Sequence, residues 1–322
     1  MSQSPLAAAD VRETLAALHD AVASALQGKP RVVRLALTAL LGRGHLLVED
    51  VPGVGKTTLA SALARVVGGK FTRLQFTADL MPSDLTGVSI FDSDAREFTF
   101  RSGPIFTNVL LADEINRAMP KTQSAMLEAM SEQRVTVDGV TRRLPEPYFV
   151  VATQNPLDQH GTFPLPESQL DRFLLRLSIG YPGADDERRI LAAHRWSDGL
   201  LSEAVSIEAA VDPEGLVALQ ERAERVRATD PLLGYVVAIA DATRQHPDVA
   251  IGASPRGSLA LMRAAKAWAL IDGRDFVVPD DVKTVAPSVL AHRLVAAGGD
   301  DPGRETTLDV IRDVLAAVPV PR

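Results

Sequence analysis

A lysine and a threonine follow a glycine-rich turn, and this pairing is the part of the sequence best suited to chemistry. The turn and the two residues after it read Pro52-Gly53-Val54-Gly55-Lys56-Thr57. Glycines leave the backbone N–H groups unobstructed, so such a turn at the start of a helix favours an anion. Lys56 can reach phosphate oxygens as a point charge, and the Thr57 hydroxyl can ligate Mg²⁺. The pattern therefore predicts a site for ATP and Mg²⁺.

One position departs from the usual phosphate-loop pattern. The pattern GxxxxGK[ST] places glycine where this chain has Asp50. Aspartate tolerates left-handed backbone better than most residues but carries a charge, so this departure bears on the affinity for ATP alone. The alternative for the whole segment is an ordinary strand–turn–helix in which Thr57 caps the helix.

Two carboxylates follow a second apolar run, residues 106–112, and suggest a division of labour. Asp113 is suited to the Mg²⁺ shell, and Glu114 is suited to polarising an attacking water. The alternative is a solvated acidic end of a strand. A lone Asp-Glu pair would favour that alternative, but its combination with a phosphate loop favours catalysis.

Asn155 follows a third apolar run, residues 148–153, with Gln154 between them. The Asn155 amide can hold an attacking water or a γ-phosphate without adding charge. A turn-forming asparagine before Pro156 is the alternative.

A parallel sheet is the element that would bring these residues together. Apolar runs that read as strands alternate with helical patterns, which is typical of a parallel α/β sheet with five strands. Two hairpins interrupt the alternation, at residues 86–101 and 135–144, the second with an Asp-Gly turn. The predicted strands are 46–48, 71–76, 106–112, 148–153 and 174–179, and the first helix is Pro5 to Leu26. These elements predict an α/β nucleotide-binding core.

The carboxyl-terminal part reads differently, since no strand is predicted after Gly183. Its helices begin at N-cap residues followed by proline, or close to a proline. The predicted starts are Asp212-Pro213, Asp230-Pro231, Ser254-Pro255 and the vicinity of Pro279. We therefore predict an all-helical lid. The predicted division is an amino-terminal helix over 1–28, the core over 29–182, a connecting helix and linker over 183–211, and the lid over 212–322.

Composition narrows the class of protein. The chain has 322 residues, 46% of them hydrophobic, and a net charge of −7, which argues against broad neutralisation of nucleic-acid phosphates. It has no cysteine, so disulfides and thiolate metal sites are excluded. No apolar run approaches the roughly 20 residues that span a bilayer, and the amino terminus does not read as a secretion signal. We expect a cytoplasmic protein without membrane insertion.

Six strings of residues, all in one order, resemble the MoxR family of AAA+ ATPases. They are LLVEDVPGVGKTTLA, GPIFTNVLLADEINRA, KTQSAMLEAMSE, ATQNP, GTFPLPESQLDRF and GASPRGSLAL. The resemblance covers about residues 25 to 295. It implies a Walker A loop that includes Thr58, a Walker B pair at Asp113 and Glu114, a sensor-1 residue at Asn155, an arginine finger at Arg172 and a sensor-2 residue at Arg256.

The same resemblance implies an assembly and partners. It suggests a homo-oligomer, typically a hexameric ring, in which Arg172 reaches the nucleotide of its neighbour. It also suggests a von Willebrand factor A type partner and a client protein that is remodelled. For Arg172 the alternative is a surface pair with Asp171, and for Arg256 an anion would compensate a cation in the first turn of a helix. A metal-chelatase-like motor, a nucleotide-switched scaffold with little turnover and a nucleic-acid motor are the competing functions.

Overall fold

A computed structural model describes residues 8–155, 161–193, 207–297 and 304–321 of the chain. The predicted helix start at Pro5, the predicted turn residue Pro156 and the middle of the predicted linker lie outside the described residues.

A five-stranded parallel sheet forms the centre of the α/β part, as predicted. The spatial order is β2-β5-β8-β1-β9, so that β1 lies between β8 and β9 and β5 lies between β2 and β8. Its strands are β1 (Leu46–Glu49), β2 (Phe71–Gln75), β5 (Val109–Asp113), β8 (Phe149–Gln154) and β9 (Leu175–Leu177). Because neighbouring strands are parallel, their carboxyl ends share one edge of the sheet.

Both predicted hairpins are present. The first is β3 (Gly87–Asp92) with β4 (Glu97–Ser102), and the second is β6 (Arg134–Val137) with β7 (Val140–Arg143). At the tip of the first hairpin Phe91 lies opposite Phe98, and the two rings meet edge to face with centroids 5.3 Å apart. These side chains are 54% and 72% exposed.

Twelve α-helices lie in the described part of the chain. The predicted starts after residue 211 are confirmed, except that Thr229 rather than Asp230 is the N-cap of its helix. Three helices, α4, α6 and α12, were not predicted. The helices are α1 (Ala8–Ala25), α2 (Pro30–Leu41), α3 (Lys56–Val66), α4 (Pro82–Thr86), α5 (Pro120–Glu132), α6 (Glu167–Leu170), α7 (Ala184–Ala193), α8 (Pro213–Glu224), α9 (Asp230–Gln245), α10 (Pro255–Ile271), α11 (Pro279–Leu290) and α12 (Arg304–Ala317).

The carboxyl-terminal part is helical, with one addition to the prediction. Two very short strands, β10 (Val249–Ile251) and β11 (Val295–Ala296), pair antiparallel. Strands of three and two residues carry no alternating pattern long enough to detect, which is why the sequence predicted helices alone.

Two hydrophobic cores cover the two faces of the sheet. Along β1 the side chains alternate between them, with Leu46 and Val48 in one core and Leu47 in the other. The first core also contains buried residues of α1, α2 and α3 together with those of α8 to α12. The lid helices therefore pack continuously against the α/β part, and the limits proposed above for the domains stay predictions.

None of the helices in these described ranges is both long and apolar enough to cross a membrane.

Candidate active site

Three neighbouring strands deliver the predicted catalytic groups to one edge of the sheet. The glycine-rich loop follows β1, Asn155 follows β8, and Asp113 ends β5 with Glu114 directly after it. Pairing of Glu49 with Gln154 and of Ala112 with Ala152 aligns these ends. The sequence-predicted core of the site is therefore assembled by the fold.

The loop has the backbone conformation that a phosphate cradle needs. Gly53 and Gly55 have φ angles of 86° and 100°, which side chains rarely tolerate. Gly55 is also the N-cap of α3, and no side chain of the described residues caps this helix. Its first N–H groups can therefore serve an anion.

The residues around the two glycines differ in exposure. Pro52 is exposed, and Val54 is buried against the hydrophobic core. Lys56, Thr57 and Thr58 form the half-buried first turn of α3. The middle of the loop, at Val54, is therefore buried in the core, whereas its start, at Pro52, is exposed to solvent.

Lys56 is the central cation of the site. Its Nζ donates a hydrogen bond of 2.7 Å to the Asp50 carbonyl. Partial burial lowers the pKa of Lys56, while the nearby charges of Asp113, Asp50 and Glu114 oppose that shift. The three acids that influence the lysine are those that surround a phosphate loop, which places the carboxylates and the ammonium group in one electrostatic cluster.

Asp113 is buried and has a partner on each carboxylate oxygen. The Thr153 hydroxyl donates to Oδ1 over 2.6 Å, and the Arg73 guanidinium donates to Oδ2 over 2.7 Å. Thr153 is itself fully buried on β8. The carboxylate is therefore held rigidly on one side by an uncharged donor and on the other by a cation.

Glu114 is held in a strained backbone conformation. Its φ and ψ are 56° and 51°, left-handed values that are uncommon for a residue with a side chain. Its N–H donates to the Thr153 hydroxyl over 2.9 Å. Its side chain accepts from Gln75 over 2.8 Å and from Arg117 over 3.0 Å. Backbone strain of this kind clusters at functional sites.

Sequence reasoning missed three residues of this network. Arg73 and Gln75 lie two positions apart on β2, so they share a face, and Thr153 is the last-but-one residue of β8. These residues could have been identified in the sequence as polar residues near the carboxyl ends of predicted strands. Their partners depend on β2 lying next to β5, which the sequence does not reveal.

The oxygen donors present fit a magnesium–nucleotide complex. Mg²⁺ prefers oxygen ligands and is commonly bound by one or two protein groups together with phosphates. Thr57 and Asp113 supply a hydroxyl and a carboxylate at the loop. Within the described ranges, no group of three or more His, Cys, Asp and Glu residues could hold a metal ion. A metal here would depend on phosphate oxygens, as the phosphate-loop pattern requires.

The two predicted arginines lie in a different place. Arg172 and Arg256 both line a cleft of about 620 Å³, which we call the arginine cleft. His45, immediately before β1, and Leu174, immediately before β9, also line it, so the cleft lies at the amino edge of the sheet. The four residues of β1 separate this edge from the glycine-rich loop by on the order of 13 Å.

Positively charged side chains predominate in the arginine cleft, and Arg172, the predicted arginine finger, is exposed there. Among the described residues, five arginines and two acidic residues line it, namely Arg43, Arg172, Arg256, Arg263 and Arg293 with Glu132 and Asp171. Arg172 is exposed and donates to the Leu127 carbonyl and the Ser131 hydroxyl. Asp171 instead pairs with Arg293 over 2.8 Å. The surface pair considered for Arg172 is therefore not the observed arrangement.

Comparison with known proteins shows similarity to AAA ATPases. The family model described as "ATPase family associated with various cellular activities (AAA)" matches residues 45–175, and the model described as "AAA lid domain" matches residues 241–314. The chain is 49% identical to YeaC of Bacillus subtilis, with 91% of each chain covered. It is 43% identical to "Chaperone MoxR1" of Mycobacterium tuberculosis over 92% of this chain and 79% of that one.

A crystal structure from Cytophaga hutchinsonii has a similar fold. Its TM-score is 0.87 with 32% sequence identity, and the match covers 98% of this chain and 97% of that chain. The matched range includes the glycine-rich loop, the sheet and the carboxyl-terminal helices.

Proposed function

The chain belongs to the MoxR family of AAA+ ATPases, and from this premise we propose that it couples Mg²⁺-dependent ATP hydrolysis to chaperone-like remodelling or assembly of a client protein. The observation that supports the hydrolytic part best is the cluster of Lys56, Asp113 and Glu114 at the carboxyl edge of the sheet. The ATP it consumes is an intracellular nucleotide, so we also propose a cytoplasmic location.

The roles of the residues follow from their chemistry. The N–H groups at the start of α3 and the Lys56 ammonium hold the phosphates, and Thr57 and Asp113 hold Mg²⁺, which neutralises charge on the phosphates. Asn155 orients water or the γ-phosphate through its amide. Glu114 accepts the proton of the attacking water.

The Glu114 carboxylate receives hydrogen bonds from two neighbouring side chains. Gln75 and Arg117 both donate to its carboxylate. Both donors bond Oε2, so among the described residues Oε1 is the oxygen left to accept from the attacking water.

The active site is proposed to be completed by a second copy of the chain. Arg172 and Arg256 lie at the opposite edge of the sheet from their own glycine-rich loop, in a cleft with an excess of cations. An anion that reaches this cleft would come from another subunit. A closed homo-oligomer, which we propose is a hexameric ring, places the nucleotide of one protomer against the arginine cleft of the next. Both arginines would then stabilise transition-state charge in trans.

Mixing of two inactive variants tests this composite site. Arg172→Ala should bind ATP normally and hydrolyse almost none, since only the transition-state charge stabilisation is lost. Lys56→Ala should fail to bind phosphate. A mixture pairs an intact Arg172 with an intact loop from the other chain, so steady-state phosphate release should partly return and should rise with protein concentration.

The control is Arg225→Ala, which removes an exposed arginine at the end of α8 whose ion pair within the described part of the chain is with Glu221, over 3.2 Å. This variant should keep the parent's turnover. A mixture that co-assembles and stays inactive, or an Arg172→Ala protein as active as the parent, would contradict the trans arrangement.

The first hairpin is a candidate contact for the client. Its Ile90, Phe91 and Phe98 side chains are 45%, 54% and 72% exposed. Exposed aromatic and aliphatic side chains close together commonly mark surfaces that bind proteins. We propose that this hairpin contacts the client, and that a von Willebrand factor A type partner delivers it. Copurification from cells, comparing the parent with Phe98→Ser, tests the contact; an unchanged set of bound proteins would contradict it.

A further inference from the structure

The aspartate that departs from the phosphate-loop pattern does not point into the loop. The Asp50 side chain is 8% exposed. Its Oδ2 accepts hydrogen bonds from the Ser178 hydroxyl over 2.8 Å and from the N–H groups of Ile179 and Gly180 over 2.7 Å each. Its Oδ1 accepts from the Val51 N–H over 2.9 Å. The charge is thus fully used within the fold and does not oppose a phosphate in the loop.

These hydrogen bonds continue the pairing of β1 with β9 past its last backbone pair, because the Asp50 side chain acts as the acceptor. The last residue pair between β1 and β9 is Val48 with Leu177. Asp50 and Ile179 each lie two positions further, where the next pair of the same register would stand. Gly180 has a φ of 67°, and consecutive N–H groups that converge in such a turn form a concave anion site. The Asp50 carboxylate fills that site, as a glycine could not.

The backbone of Asp50 joins the other parts of the active site. Its N–H donates to the Gln154 carbonyl over 3.2 Å, next to Asn155. Its carbonyl accepts the Lys56 ammonium over 2.7 Å. The lysine ammonium has three N–H donors, so a nucleotide phosphate would share it with that carbonyl. Binding of nucleotide therefore acts directly on the peptide group of Asp50.

The segment held by the carboxylate leads into the connection to the lid. Gly180 is followed by Tyr181 and then by α7, and the Tyr181 carbonyl accepts a hydrogen bond of 2.6 Å from Lys29. The carboxylate of Asp186 in α7 lies against Gly28. Most of α7 is exposed, so its connection to residues 178–180 runs through the short segment 181–183 and through the contacts of Tyr181 with Lys29 and of Asp186 with Gly28.

We propose that Asp50 is a positioning residue that couples the glycine-rich loop to residues 178–180 and hence to α7. This inference rests on the proposed function, because it assumes that the loop binds ATP. The bonds to Gly180, Ser178, Val51 and Ile179 outweigh burial, which alone would raise the pKa of Asp50, and they lower it instead. The carboxylate is therefore charged near neutral pH and remains an acceptor throughout turnover.

Hydrogen exchange of the full chain, with and without the Mg²⁺ complex of a slowly hydrolysed ATP analogue, tests the coupling. In the parent, nucleotide should slow exchange in the loop, residues 52–58, and change exchange in residues 178–193. In Asp50→Gly, which restores the general pattern residue, the loop should still be protected and affinity should change only a few-fold. Exchange at Ile179 and Gly180 should rise about tenfold without nucleotide, and the response of residues 178–193 should vanish.

Two further variants keep the test decisive. Ser178→Ala removes one donor but leaves the carboxylate and both N–H bonds, so it should transmit the nucleotide response like the parent. Asp50→Asn keeps the size of the side chain and loses its charge, so it should weaken the response even if Asp50→Gly does not fold.

The outcomes separate this inference from the proposed function. A response of residues 178–193 that is equal in the parent and in the folded Asp50 variants overturns the coupling, as does a parent whose loop is protected while residues 178–193 do not respond. A parent whose loop shows no protection overturns the proposed nucleotide site and the coupling with it.

Discussion

The buried histidine at the start of β1 should make stability depend on pH, and the size of this effect can be worked out from its contacts. His45 Nδ1 accepts the Val150 N–H over 3.1 Å, so the proton of the neutral ring lies on Nε2, which donates to the Met130 carbonyl over 3.1 Å. Burial is the main cause that lowers the pKa of His45 to about 4, helped by the nearby Arg263 charge and opposed by the Met130 bond. The folded protein therefore keeps this ring neutral at pH 5.

The sign of the effect follows from where the proton binds. An unfolded histidine takes up a proton as the pH falls below about 6.5, whereas folded His45 does so only near pH 4. Between these values the unfolded chain binds more protons, so the free energy of unfolding falls as the pH falls. The difference between the two pKa values corresponds to about 3 kcal/mol at full development. That is a large part of the roughly 5–15 kcal/mol that stabilises a typical fold.

The assay is urea unfolding followed by circular dichroism at pH values from 7 to 4. His45→Gln should be less stable than the parent at pH 7, and its stability should fall by about 3 kcal/mol less over this range. His19→Gln is the matched control, because His19 is partly exposed on α1 and, in the part of the chain that the structure describes, pairs with its neighbour Asp20. This control should keep the parent's pH profile. Parallel pH profiles for the parent and His45→Gln would refute the reasoning.

Two further predictions concern Lys56 and the carboxylates of Asp113 and Glu114. Lys56→Ala should weaken ATP binding at least about tenfold while Glu114→Gln keeps binding and loses about 10²–10⁴ in turnover, since one residue contacts phosphate and the other acts on water. Equal ATP affinity for Lys56→Ala and the parent, measured with a fluorescent nucleotide, would contradict the loop assignment. Arg73→Ala should lower the Mg²⁺ concentration needed for nucleotide binding about two- to fivefold, because a half-exposed ion pair with Asp113 contributes about 0.2–1 kcal/mol. Arg134→Ala removes a comparably exposed arginine that pairs with Glu132 rather than with Asp113, so it is the control. An unchanged or raised Mg²⁺ requirement in Arg73→Ala would count against competition at Asp113.

Much of the fold could be predicted because its elements carry long local patterns. The glycine-rich loop, the apolar strand before Asp113 and the proline-marked helix starts are each encoded within a few neighbouring residues. The Asp-Gly turn at positions 138 and 139 likewise predicted the second hairpin, where Gly139 has a φ of 76°. Local patterns of this kind survive in the folded chain because the sheet buries the apolar runs they contain.

The remaining features depend on contacts between distant segments. Arg73 reaches Asp113 only because β2 pairs with β5, and Arg256 lies beside Arg172 only because α10 packs over the amino edge of the sheet. The two-residue strand β11 has no pattern of its own. For Asp50, comparison with a sequence pattern showed a departure, but its partners two strand positions beyond Leu177 became visible only with the sheet order.

The hydroxyl of Thr153 fixes the order of hydrogen-bond donors between Glu114 and Asp113. It has one proton, which it donates to Asp113, and it receives the N–H of Glu114 on a lone pair. The order of donors thus runs one way, from the Glu114 backbone through Thr153 to the Asp113 carboxylate. Arg73, which has no acceptor, closes the far end of this chain. Asp113 therefore accepts a hydrogen bond on each oxygen, and in the proposed mechanism Glu114 is the residue that takes the proton from water. Thr153→Val would keep the shape of the site and erase this one-way order.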